Sequence, residues 1–178
     1  MKRAHVKIAL AVAAVAVMGA GAGVAMASGG SSDRERLTGF EEVPALSTPG
    51  EGEFRTSISR TSDEIRYRLS FDNTETDVTQ AHIHFENRTN NGPIVVFLCS
   101  NLGNGPAGTQ ACPAGGGTIT GTITPANIGA GAAAQGLAAG EFDEFVRAIR
   151  AGATYVNVHT TGRPGGEIRA QLEDDHQH

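Results

Sequence analysis

The chain has 178 residues, with 14 basic and 19 acidic side chains, two cysteines and no tryptophan. All the acidic residues follow Ala27, and the basic residues there are eleven arginines without a lysine, a formal charge of −8 for that part. An acidic chain with no basic run argues against nucleic acid or anionic membrane as a partner. Roughly 150 residues after Ala27 are enough for one domain with its own core.

Residues 1–27 read as a signal peptide. Lys2, Arg3 and Lys7 give a positive start, Ile8 to Ala27 carries no charge, and Ala25-Met26-Ala27 places small residues before a cut at Ser28. The alternative is an uncleaved anchor, since twenty small or apolar residues can just span a bilayer. Cleavage is the reading kept, because the alanines and glycines make the run only weakly hydrophobic. Residues 28–33 read as a linker.

Arg34 to Pro44 is expected as a first strand, followed by a turn-rich stretch through Gly50. Gly52 to Arg60 and Glu64 to Phe71 form a hairpin around Thr61-Ser62-Asp63; Ile65, Tyr67, Leu69 and Phe71 alternate with Arg66, Arg68 and Ser70. Val78 to Glu86 is the next strand. It carries Ala81-His82-Ile83-His84-Phe85-Glu86, where period two puts His82, His84 and Glu86 on one face. After a polar loop ending in Asn91-Gly92, Pro93 to Cys99 is a continuous apolar run of strand length.

Cys99 and Cys112 are an even pair in an exported chain, which suggests a disulfide. It would close a turn-rich loop and contribute about 3 kcal/mol. A thiolate metal pair is the less favoured alternative, because the spacing is not that of zinc knuckles. Thr118 to Thr124 is β-rich, and Gly121 at its centre suggests a bulge or a close backbone approach. Thr124-Pro125 is a helix-start signal. Phe142, Phe145, Val146 and Ile149 mark an amphipathic helix over Glu141 to Arg150, stopped by Gly152. Thr154 to Thr160 and Glu167 to Leu172 are the last strands. Residues 173–178 are an acidic, histidine-containing tail of the kind that is usually solvated.

The sum is an all-β fold: an antiparallel β-sandwich, Greek-key or immunoglobulin-like, of about eight strands with one amphipathic helix in a long connection. The motifs, in order, resemble the CHRD domain, the module named after its repeats in chordin. They run from Leu37-Thr38-Gly39-Phe40-Glu41-Glu42-Val43-Pro44 through Ala81-His82-Ile83-His84, Gly92-Pro93-Ile94-Val95-Val96 and Gly117-Thr118-Ile119-Thr120-Gly121. Ala148-Ile149-Arg150-Ala151-Gly152, Tyr155-Val156-Asn157-Val158-His159-Thr160 and Pro164 to Leu172 complete the set. Ala170 stands where the family commonly has glycine. The resemblance covers residues 34–172 and implies an extracellular, β-rich domain with no general enzymatic activity. The Cys99–Cys112 loop resembles an insert of some exported single-domain members.

Three groups of residues bear on chemistry. His82, His84 and His159 could supply three imidazoles to copper or zinc, provided His159 faces the other two. The His-x-His strand is similar to that of copper/zinc superoxide dismutases, without the rest of their ligand set. Glu167 and Arg169, two apart on a strand, are expected to form a structural polar pair at the Gly165-Gly166 turn. No serine sits in a nucleophile elbow, and Gly115-Gly116-Gly117 precedes a strand rather than a helix, so neither a hydrolase triad nor a phosphate loop is expected. The reading is an exported binding or structural module, secreted or at the cell surface, whose partner is an extracellular protein, a glycan or a metal. The alternative is a secreted copper or zinc protein with a three-histidine site and, with copper, redox activity.

Overall fold

The computed structural model describes residues 31–59 and 63–173; the expected signal peptide, the Thr61-Ser62 turn and most of the tail lie outside them. Among the described residues no helix is long and apolar enough to cross a membrane. Eight strands form: β1 (Ser31–Thr38), β2 (Glu51–Ile58), β3 (Ile65–Asp72), β4 (Val78–Phe85), β5 (Ile94–Ser100), β6 (Gly117–Ile123), β7 (Thr154–Thr160) and β8 (Ile168–Leu172). One helix, α1 (Phe142–Arg150), lies in the long connection from β6 to β7.

Alternation decides the inner face. In β3, Ile65, Tyr67, Leu69 and Phe71 are buried while Arg66 and Arg68 are exposed. Asn73, at φ 56°, ends the strand in the left-handed region that asparagine tolerates. In α1 the residues at i, i+3, i+4 and i+7, from Phe142 to Ile149, join the same apolar core as the sheet. Full burial of a side chain such as Phe145 contributes about 1.5–3 kcal/mol. Asp143 and Glu144 sit at the positive end of α1, Arg147 and Arg150 at the negative end, and Gly152 (φ 65°) ends the helix.

All eight strands belong to one antiparallel sheet, in the order β5-β4-β7-β8-β1-β2-β3-β6. The sequence reading expects two packed sheets of Greek-key or immunoglobulin-like type; the pairing instead gives a single, nearly closed sheet. Its narrowest junction is β1–β8, where only Thr38 and Arg169 are in register. Strand count and period say nothing about which distant strands pair, which is why the two arrangements look alike in sequence.

The sheet curls until its edges, β5 and β6, approach each other. Gln110 bridges the seam: its Nε2 lies 3.1 Å from Leu98 O in β5 and 3.2 Å from Thr120 O in β6. The same nitrogen donates to Tyr67 Oη at 2.9 Å. Gly121 is a close approach and not a bulge: it pairs with Tyr67, and a Cβ there would stand 2.5 Å from the phenol oxygen. Cys99 and Cys112 are joined, with Cα atoms 5.1 Å apart, and hold the loop that carries Gln110.

Two boundaries differ from expectation. β1 begins at Ser31, inside the stretch read as linker, because residues 31–33 pair with residues 56–58 of β2. It stops at Thr38, well before Pro44. Gly39 starts a 3-10 turn, accepts a hydrogen bond from Leu46 N (2.8 Å), and has no room for a Cβ against Thr48 and Leu46 O. The segment from Gly39 to Gly50 thereby leaves the sheet and folds back across the outside of β8.

That excursion creates the unusual feature of the fold. The outer face of β4, β7 and β8 is polar and also buried. Segments 39–50, 86–93 and 161–167 cover it, tied down by Asn91 Nδ2 donating to Val43 O (2.8 Å) and Thr48 Oγ1 donating to Glu167 Oε1 (2.7 Å). Every residue of β7 is buried as a result.

Candidate metal centre

Register brings the site together. β7 lies between β4 and β8, so His82, Asn157 and Arg169 stand in one row across the sheet, and His84, Tyr155 and Gln171 in the next. His159 follows Asn157 by two residues and shares its face. All of these side chains are buried; His82 is 0% and Arg169 1% exposed. Buried polar groups without partners cost stability, so each contact matters.

The three histidines meet. Ring centroids are 5.0 Å apart for His82–His159, 5.5 Å for His82–His84 and 6.1 Å for His84–His159. One potential ligand atom from each lies within 4.8 Å of the other two. Backbone carbonyls assign two tautomers. His159 Nδ1 donates to Pro164 O at 3.0 Å, and His84 Nδ1 donates to Gly92 O at 2.8 Å. Both rings therefore turn an Nε2 lone pair into the cluster. His82 Nδ1 is 3.2 Å from His159 Nε2. His82 Nε2 and His84 Nε2 are buried without a hydrogen-bond partner.

Burial sets the protonation. It pushes His82 down to about 2, helped by the repulsion of His159 and His84. It pushes His84 down to about 4 against the opposing Gly92 carbonyl, and lowers His159 against that of Pro164. Three imidazoles neutral at neutral pH have the protonation state in which an imidazole nitrogen can accept a metal.

Around them stands a stacked wall. His84 lies flat on Tyr155, centroids 4.6 Å apart and planes 1° from parallel. The Arg169 guanidinium carbon is 3.4 Å from the Tyr155 ring centroid. Phe97 meets His82 edge-on at 4.5 Å. Glu42 reaches the cluster from the segment after β1. Burial raises its carboxyl to about 7, opposed by the charge of Arg169 and by the Asn157 amide.

Other expected residues lie elsewhere. Glu86 is past the end of β4, and its carboxylate accepts from Asn87 N at 3.0 Å. Glu167 and Arg169 do not pair. Glu167 precedes β8; its Oε1 accepts from Thr48 Oγ1 and Glu75 N, and its Oε2 accepts from Thr160 Oγ1. Arg169 instead donates to Asn91 Oδ1 (3.2 Å) and Asn87 O (3.1 Å), with Tyr155, Glu42 and Glu41 as the acidic groups acting on its charge. Tyr155 and Asn157 escaped the sequence reading although their signal was there: they alternate with His159 on β7. Glu42 gave no local signal, because its burial depends on how a loop folds back.

Comparison with curated proteins and with solved structures gave no match. The family model of the CHRD domain matches residues 34–172, the whole of the eight-stranded sheet save the first three residues of β1. The chain belongs to the CHRD-domain family.

Proposed function

We propose that this CHRD domain is an exported binding module whose ligand is a transition metal, copper(II) or zinc, held by His82 Nδ1, His84 Nε2 and His159 Nε2. The observation that carries the reading is the 3.2 Å between His82 Nδ1 and His159 Nε2. Two nitrogens on one metal, each about 2.0–2.1 Å from it, stand roughly 3.3 Å apart at a tetrahedral angle. His84 supplies the third nitrogen: the three ligand atoms lie within 4.8 Å of one another, and since two donors of one ion stand at most about 4.2 Å apart, binding draws the His84 ring inward by a few tenths of an ångström. Imidazole nitrogens suit zinc and copper, while a site for calcium or magnesium would be built of oxygens.

The surroundings support the same reading. Ligand histidines commonly donate their second nitrogen to a carbonyl, which fixes tautomer and ring orientation. His84 and His159 both do so. The family and the Cys99–Cys112 disulfide are compatible with an extracellular setting. Export through cleavage after Ala27 belongs to this proposal.

Copper(II) spin resonance tests the ligand set. Nitrogen hyperfine coupling from three imidazoles is expected in the loaded protein, falling to two in His84→Ala. A spectrum unchanged by substitution at His82, His84 and His159 would place the metal elsewhere.

A further inference from the structure

We infer that Asn157 Oδ1 is a fourth ligand of this centre, so that the site is closed and holds its metal without leaving a position for a substrate. The inference rests on the three-histidine reading and adds a donor to it.

Asn157 is at the middle of the cluster. His82 is its register partner on β4, and His159 is two residues on along the same face. Its Oδ1 lies 2.9 Å from His159 Nε2. The His159 proton is on Nδ1, given to Pro164 O, so Nε2 offers a lone pair. An amide oxygen also offers only lone pairs. Two buried acceptors in contact need a cation or a donor between them. His82 Nδ1 can donate to His159 Nε2, whereas the amide oxygen's contact, His159 Nε2, carries no proton in this tautomer.

The opposite end of the amide faces Glu42. An ideal Cβ on Gly166 would stand 2.7 Å from Asn157 Nδ2 and 2.5 Å from Glu42 Oε1, so both atoms converge over this glycine. Glu42 Oε1 is buried and makes no hydrogen bond elsewhere or to the amide in this conformation. A carboxylate facing the nitrogen keeps the oxygen turned into the site. Gly166, at φ 123°, leaves the space that this arrangement needs.

The distances suit one metal. With bonds of about 2.0–2.1 Å, separations of 2.9 and 3.2 Å correspond to angles of roughly 90° and 100° at the ion. A site with three histidines and one open position is catalytic in character; a fourth protein ligand makes it a structural or storage site.

Azide reports the open position directly. In copper(II)-loaded wild-type protein, added azide is expected to leave the visible spectrum unchanged. In Asn157→Ala it should give an azide-to-copper charge-transfer band, and copper affinity should fall at least ten-fold. Asn157→Asp keeps an oxygen donor and serves if the alanine variant does not fold; it should bind copper and still exclude azide. Azide binding to the wild type, or to Asn157→Asp as readily as to free copper sites, overturns the inference while leaving the three-histidine site standing. Equal copper affinity in wild type and Asn157→Ala does the same. A wild-type protein that takes up no copper overturns both.

Discussion

His82 Nδ1 and His159 Nε2 stand 3.2 Å apart although 77 residues separate them in the chain. The contact exists because β4 and β7 are neighbours and because three loop segments roof the face where it lies. Its two rings are kept neutral chiefly by burial, to which the repulsion of the neighbouring histidines adds at His82. A metal-poised pair and a pH-sensitive pair are thus the same pair of atoms.

The metal-free protein should lose stability as pH falls below about 6.5. His82 and His84 titrate at about 2 and about 4 when folded, and His159 is also lowered, against the ordinary value of 6.5. The unfolded chain therefore takes up these protons first. Above pH 6.5 the three groups contribute no change; below it each costs about 1.4 kcal/mol per pH unit until its folded value is reached. Glu42 acts in the opposite sense: raised to about 7 from 4.5, its contribution is complete below 4.5 and lost as pH rises towards 7. Urea midpoints measured from pH 7 to 5 should fall, and fall more steeply in Glu42→Gln. A flat or rising profile contradicts this account of the cluster.

Arg169 should be among the most sensitive positions. Its fork serves Asn91 and the Asn87 carbonyl, and its plane lies over Tyr155. Arg169→Ala would strip a buried charge from beside Glu42 and should cost about 3–5 kcal/mol. Arg169→Lys keeps the charge but not the fork, and should still cost about 1–3 kcal/mol. Thermal denaturation of both variants checks this; a lysine variant as stable as the wild type would show that only the charge matters.

Gln110→Ala should loosen the seam between β5 and β6. It removes the side chain that binds Leu98 O and Thr120 O together, for a cost of about 1–3 kcal/mol. Hydrogen exchange should speed up in residues 94–100 and 117–123 and stay unchanged in the β1–β2 hairpin. Reduction of the disulfide should add about 3 kcal/mol to the loss. Uniform acceleration across the sheet would mean that the seam has no separate role.

Most strands were legible because an inward face must be apolar at every second residue, as in Ile65, Tyr67, Leu69 and Phe71. The three histidines were legible by the same period. The polar face was not. An outward Asn157 or Arg169 ordinarily meets water, and nothing local in β7 says that residues 39–50 will cover it. The expected Glu167–Arg169 pair failed for a related reason. Spacing of two implies a shared face only inside a strand, and Glu167 lies before β8 begins, next to Gly166 at φ 123°. Strand order, and with it the single nearly closed sheet, depends on pairings between distant segments that no window of sequence contains.

Metal content measures the central claim most directly. The protein to use is residues 28–178 with His176→Ala and His178→Ala, which removes the second His-x-His from the tail. After exposure to copper(II) or zinc and exhaustive dialysis, one ion per chain should remain. It should be lost in His84→Ala/His159→Ala, and its binding should raise the denaturation temperature, since it binds only the folded state. A chain that emerges metal-free, with a denaturation temperature unmoved by either ion, would contradict the account.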